Sequence, residues 1–239
     1  MFMPLVNNLH IKTKKWARFD FDFVADTYDQ WYETIKGAKY DRLEKKAISK
    51  YLPRNVQGKK LLEVGCGTGH WSKFFSELGF KVTGVDISER MINVAQSKVI
   101  PNTSFQIADG HLLPFKNGVF DVTAAVVTLE FVYDAELVIR EMVRCTRNPG
   151  GKLLIGVLNA LDQLNHKRQQ SPESIYAKAR FFSPKQLKLI LESYGQTHIA
   201  TTGFIQEQKW FLSLSPVTDM ICRLLHRPFG IFIAAEVRL

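Results

Sequence analysis

The residues with the most legible chemistry lie in Leu61-Leu62-Glu63-Val64-Gly65-Cys66-Gly67-Thr68-Gly69-His70-Trp71. An apolar run that breaks into clustered glycines before a helix lets a ligand approach the backbone closely. Glycine has no Cβ and adopts conformations closed to other residues. A dinucleotide fingerprint needs glycine at 65, 67 and 70, whereas position 70 is His and the third glycine stands at 69. Glu63 also sets a negative charge where a pyrophosphate would have to lie. The pattern therefore disfavours an anionic diphosphate and favours a ligand with a positive amino or sulfonium group. Asp86 closes Val82-Thr83-Gly84-Val85, 21 residues after Gly65, where a carboxylate can accept both hydroxyls of a ribose. Ile107-Ala108-Asp109-Gly110 adds a third acid, suited to the exocyclic amine of adenine. Three acids at successive strand tips, with a glycine loop between them, converge on one crevice.

Such tips require strands, and the pattern supplies them. Strands are expected at residues 61–64, 81–85, 103–108, 119–128 and 151–158, with helices at 71–78, 88–97 and 135–147. This βα alternation predicts a parallel sheet covered by helices on both faces. Two further helices are expected at 25–35 and 38–51, the second with Tyr40, Leu43, Ala47 and Tyr51 at helical spacing. Both read as an N-terminal extension outside the core. Ser183-Pro184 opens a helix running to about residue 194, with Pro at its first position. Residues 197–204 and 231–237 read as closing strands, and residues 205–228 as a lid-like insertion. Residues 161–180 are polar and carry no clear period.

The chain resembles the class I S-adenosylmethionine-dependent methyltransferases, and within them the ubiquinone- and menaquinone-biosynthesis type. The resemblance covers residues 24–204 and the final strand. It is carried by Tyr28-Asp29-Gln30-Trp31-Tyr32, the Leu62–Gly69 segment, Val85-Asp86-Ile87-Ser88, Met91, Ala108-Asp109-Gly110, Leu113-Pro114-Phe115, Phe120-Asp121-Val122 and Pro149-Gly150-Gly151. It implies an α/β, Rossmann-like, seven-stranded and mostly parallel sheet whose last strand runs antiparallel. S-adenosyl-L-methionine is the implied cofactor and S-adenosyl-L-homocysteine the product. Glu63, Gly65, Cys66 and Gly67 are implied at its methionine part and Asp86 at the ribose. Ile87 and Met91 are implied on the adenine ring, and Ala108, Asp109 and Gly110 around it. Tyr28 and Tyr32 would fold over the methionyl end, and Thr128 would close the site after the fourth strand. One domain is expected, with a helical cap (1–56), a cofactor-binding half (57–160) and an acceptor-side half (161–239).

Methyl transfer from a sulfonium is an in-line displacement with an activated leaving group, so proximity and a dry site do most of the catalysis. A base is needed only where the nucleophile must lose a proton. Glu130, just past the fourth strand, is the candidate catalytic acid–base group. His111 is expected as an exposed loop histidine, Trp71 as packing and Cys66 as a small side chain rather than a nucleophile. His166 and Arg168 could touch an anionic substrate. Thr128-Leu129-Glu130-Phe131 stands where amide- and amine-directed methyltransferases carry Asn-Pro-Pro-Tyr. No catalytic cysteine follows the fourth strand, and no zinc-ligand spacing occurs.

Composition bounds the rest. The 239 residues are 46% apolar with three cysteines, which excludes a disordered chain or a disulfide scaffold. Free thiols, no signal-peptide pattern and no apolar run of membrane length lead to the expectation of a cytoplasmic protein. The net charge of +9 splits into +6 over residues 1–60, −2 over 61–130 and +5 over 131–239. The acidic middle suits a cationic cofactor, and the basic flanks fall on the acceptor side. A small-molecule acceptor under apolar and aromatic residues (Phe19, Phe21, Trp31, Trp210, Phe211, Leu225) is the favoured partner, with RNA or protein as the alternative acceptor and a non-catalytic S-adenosylmethionine-binding module as the third reading.

Overall fold

The computed structural model describes residues 17–203 and 228–239. The basic residues Lys12, Lys14 and Lys15, the lid-like segment up to residue 227 and its Trp210, Phe211, Cys222 and Leu225 lie outside the described residues.

The strands β1 (Lys60–Val64), β2 (Lys81–Asp86), β3 (Thr103–Ile107), β4 (Val122–Val126), β5 (Lys152–Leu158), β6 (Gln196–Thr202) and β7 (Phe232–Arg238) form one sheet in the order β3-β2-β1-β4-β5-β7-β6. β1 to β5 are parallel, and β7 runs antiparallel between β5 and β6. The helices are α1 (Gln30–Glu33), α2 (Ile35–Ser49), α3 (His70–Glu77), α4 (Glu89–Ser97), α5 (Ala135–Cys145), α6 (Gln163–Gln170) and α7 (Pro184–Leu191). This is the expected fold class.

Alternation along each strand sorts side chains between two cores. Leu61, Val122, Leu154 and Phe232 pack on one face with Trp71 and Phe75 of α3. Leu62, Val64, Ile155 and Ile233 pack on the other with Val138 and Met142 of α5. Period two places Glu63 on the same face as Leu61, under α3. β4, Val-Thr-Ala-Ala-Val, is buried throughout, as a strand covered on both faces must be.

The N-terminal segment departs from its expected place outside the core. Phe19, Val24, Ala25, Tyr40, Ala47 and Ile48 are buried in the same core as Leu61 and Phe232. The first expected helix shrinks to the single turn of α1. Thr34 then starts α2 by accepting the Gly37 N–H with its side chain. Arg18 is no free surface charge either: its backbone N–H donates to Phe131 O at 2.7 Å and its Nε to Val132 O at 3.0 Å. The polar stretch without a clear period contains α6, started by Asp162, whose side chain accepts the Leu164 and Asn165 N–H groups.

Candidate active site

In a sheet of this order the crevice opens where strand order reverses, between the carboxyl ends of β1 and β4. The chain turns away from β1 at Gly65, with φ +71°, and a Cβ there would meet Thr128 Cγ2 at 2.2 Å. From the other side, Thr128 Oγ1 donates to Gly65 O at 3.3 Å. Strand β4 ends two residues earlier than expected because Val127 adopts φ +51°. That conformation costs a β-branched residue about 1–3 kcal/mol. The Val127 N–H holds it by donating to Gly156 O at 2.8 Å. The turn brings Thr128 onto the glycine loop.

Gly67, also left-handed at φ +51°, donates its N–H to Asp86 Oδ2 at 2.8 Å, and the Ser88 N–H reaches Asp86 Oδ1 at 2.9 Å. Two backbone donors thus fix the carboxylate at the tip of β2, each charge-assisted bond being worth roughly 1.5–3 kcal/mol. Glu63 is buried and accepts the Ser72 Oγ–H. Burial, offset in part by Ser72, pushes its carboxyl up to about 8. Asp109 Oδ1 holds His111 through its backbone N–H at 2.9 Å and lies 2.6 Å from His111 Nδ1. The Asp134 N–H reaches His111 Nε2 at 3.2 Å. His111 is therefore a half-buried brace between Asp109 and the start of α5, not an exposed loop residue.

All thirteen residues read as cofactor-binding, Tyr28, Tyr32, Glu63, Gly65, Cys66, Gly67, Asp86, Ile87, Met91, Ala108, Asp109, Gly110 and Thr128, line one cavity of about 1280 Å³ including its mouth. Burial, with Asp86 and Glu63 nearby, pushes the Cys66 thiol well up, so it stays protonated and packs. Glu130 does not join them. It is fully buried off the cavity lining, accepting the Leu158 N–H at 2.6 Å, and burial lifts its carboxyl to about 8. The neighbouring Phe131, whose N–H closes the turn on Thr128 O at 2.9 Å, lines the cavity instead.

Further residues complete the cavity, among them Arg168, one of the two residues read as able to touch an anionic substrate; the other, His166, does not line it. Asp41 and Glu44 of α2 line it with His70, Arg168 of α6 and Tyr176. Asp41 is held low despite its burial: Oδ2 accepts from Lys45 Nζ at 2.8 Å, and Oδ1 lies 2.8 Å from His70 Nε2. Glu44 is pushed up to about 8 by burial and by Asp41, against the pull of Arg168. Tyr32 stacks on His70 with ring centroids 3.6 Å apart, and Phe21 packs edge-on to Phe131 at 4.9 Å. Asp29 ties this wall to the glycine loop: Oδ1 accepts from Thr68 Oγ1 at 2.6 Å, and Oδ2 pairs with Lys98 Nζ at 2.5 Å. The sequence signal for Glu44 was its place four residues after Tyr40 on α2, the buried face of that helix. Among the described residues no group of His, Cys, Asp and Glu could hold a metal, and no helix is long and apolar enough to cross a membrane.

A methyltransferase-domain family model matches residues 37–200. An uncharacterised protein of Methanocaldococcus jannaschii is 30% identical over 187 residues, covering 77% of this chain and 84% of its own length. A ubiquinone biosynthesis O-methyltransferase of Coxiella burnetii is 28% identical, covering 75% and 82%. The solved structure of an S-adenosylmethionine-dependent methyltransferase from Thermotoga maritima, described as a possible histamine N-methyltransferase, superposes with a TM-score of 0.71 at 22% identity, covering 91% of this chain and 97% of the other. The chain belongs to the methyltransferase-domain family, as a class I S-adenosylmethionine-dependent enzyme.

The donor set fits that cofactor. Carboxylates at three strand tips suit its amino, hydroxyl and amine groups. Ile87 and the buried Met91 offer an apolar surface for a flat ring. A Cβ at Gly67 would meet nothing nearer than Met91 Sδ at 4.0 Å, so that side of the loop is open to a ligand.

Proposed function

We propose that this cavity binds S-adenosylmethionine at its strand-tip end and a small-molecule methyl acceptor at its aromatic end. The observation that carries the reading is the continuity of the two ends. The glycine loop and the acids Glu63, Asp86 and Asp109 share one space with Tyr28, Trp31, Tyr32, Tyr40, Phe131 and Tyr176. When bound, the cofactor supplies a methyl group already activated on a sulfonium.

The chain's own residues bind, orient and dry the site. Asp86, held by two backbone donors, would accept the ribose hydroxyls, and Asp109 would take the adenine amine through the oxygen that His111 leaves unengaged. Ile87, Met91, Ala108 and Gly110 would pack around the ring. Gly65, Cys66, Gly67 and Glu63 would surround the methionine part, with Tyr28, Tyr32 and Thr128 closing over it. Burial pushes the Tyr28 and Tyr32 phenols up, so both remain neutral and can donate hydrogen bonds. A buried aromatic wall excludes water from the approach of nucleophile to methyl group, which is the main catalytic service such a displacement needs. Glu44, which lines the cavity and is raised to about 8, takes the place of Glu130 as the carboxyl that can exchange a proton with the acceptor, its base form gained as pH rises toward 8. On this reading the chain would act as one domain, the described residues up to 56 capping, 57–160 holding the cofactor and the described residues from 161 framing the acceptor.

Binding tests this directly. S-adenosylhomocysteine at one hundred times its Kd should stabilise the protein by about 2.7 kcal/mol, read as a rise in Tm. Asp86→Ala should weaken the affinity more than tenfold by titration calorimetry. No Tm shift in the unmodified protein would sink the reading, and an unchanged affinity in Asp86→Ala would sink the ribose assignment.

A further inference from the structure

Arg168 is 9% exposed, lines the cavity, and among the described residues has no carboxylate within ion-pair distance. Its one side-chain hydrogen bond runs from Nη1 to Asn165 Oδ1 at 3.2 Å. Asn165 is itself pinned, its Nδ2 donating to Asn159 O at 3.0 Å and Ile231 O at 2.7 Å. The guanidinium carbon lies 5.9 Å from the Trp31 ring and 5.6 Å from each of the Tyr40 and Tyr176 rings. An arginine does not deprotonate in a protein, so the chamber wall carries a fixed, preorganised positive charge. The three ring faces together return about 1.5–6 kcal/mol, which at best offsets the several kcal/mol it costs to take such a charge out of water.

The nearby acids do not cancel that charge. Asp41 is engaged with Lys45 and His70. Glu130 is off the lining and bonded to Leu158. Glu44 forms no ion pair with Arg168, and burial keeps its carboxyl largely protonated at neutral pH. A cationic acceptor would be repelled by the protein's own cation. A phosphate dianion would call for a second free cation, whereas Lys45 is spent on Asp41. The complementary group is a single negative charge on a flat, apolar body.

Resting on the methyltransferase reading above, we infer that Arg168 is the acceptor-specificity residue of this site, taking the carboxylate of a small planar carboxylic acid between Trp31, Tyr40 and Tyr176. The paired guanidinium N–H groups match a carboxylate's two oxygens. The anchored acceptor then faces the cofactor end across Tyr28 and Tyr32.

The probes are benzoate, benzamide and benzylamine, which share one ring and differ in charge, titrated into protein saturated with S-adenosylhomocysteine. Benzoate should bind at least tenfold more tightly than either of the others. Arg168→Gln should abolish that preference, leaving benzamide affinity unchanged and S-adenosylhomocysteine affinity within twofold, and Arg168→Lys should restore part of it. Equal or tighter binding of benzamide or benzylamine to the unmodified protein would overturn the inference, as would no benzoate binding, and neither result depends on a variant folding. A benzoate preference that survives in Arg168→Gln would overturn it too. Failure of S-adenosylhomocysteine to bind the unmodified protein would instead strike the methyltransferase reading itself.

Discussion

A buried acid awaiting a cation should announce the ligand by releasing a proton. Glu63 sits near 8 because it is buried, with Asp86 adding to the rise, so at pH 7 it is mostly protonated. A positively charged group in the adjoining cavity favours the carboxylate and lowers that value. Binding of S-adenosylmethionine at pH 7 should therefore release a fraction of a proton. The measured heat should then change with the ionisation enthalpy of the buffer. Glu63→Gln should remove the buffer dependence while Ser72 keeps a hydrogen-bond partner. Heats that are identical in phosphate and Tris would show that Glu63 does not sense the ligand's charge.

Among the elements, the loop after β1 depends on a contact from far away in the chain. Asp29 holds Thr68 and Lys98 at once, so it clips the segment bearing Tyr28 and Tyr32 against the glycine loop. Asp29→Ala should cost about 1–3 kcal/mol of that docking, loosening the aromatic wall while leaving the sheet intact. The expected outcome is a several-fold weaker S-adenosylhomocysteine affinity and faster amide exchange around residues 25–33, with unchanged protection in β1 and β4. Uniformly faster exchange would mean that the contact supports the whole fold instead. This difference between local and distant causes also explains what could be read in advance. The loop from Gly65 to Gly69, Asp86 with its Ser88 cap, and Asp109 are short, contiguous patterns whose geometry follows from their own residue types. Glu44 and Arg168 enter the cavity only because α2 and α6 dock as they do. Gln163–Gln170 is polar nearly all round, so no stripe says which way it faces. Glu130 lies off the lining and Phe131 on it, downstream of the turn at Val127, whose left-handed backbone a valine does not advertise.

The whole molecule carries opposed sets of acids. Glu44, Glu63 and Glu130 are each raised from 4.5 to about 8 by burial. Groups raised in this way contribute stability that is fully present below their unfolded value and lost as pH climbs through the folded one. Asp41 and Glu141 are held low; Asp41 is pulled down by His70 and Lys45 against its burial, and Glu141 chiefly by Arg144. Their contribution is present above their unfolded values and lost as pH falls. The urea midpoint of the ligand-free protein should accordingly decline between pH 6 and 9, and Glu130→Gln should flatten part of that decline. A midpoint that is level or rising over this range would contradict the raised values of the three glutamates. The positive surplus also has a use at this scale. Arg18 is held by backbone carbonyls, and Lys152 and Arg238 share the one buried Glu236. That bracing engages a small part of the +9 without a polymer acceptor.

The place of β7 has a consequence for how the protein is made. It lies between β5 and β6, yet it is the last of the seven to leave the ribosome. A nascent chain that has reached residue 203 already holds the glycine loop and the acid-tipped strands. It also exposes one long edge of β5, whose Leu154, Ile155 and Val157 are apolar, and β6 has nowhere to pair. An open apolar edge is a site of wrong pairing. Pairing of residues 232–238 is thus the step that covers the β5 edge and gives β6 its partner.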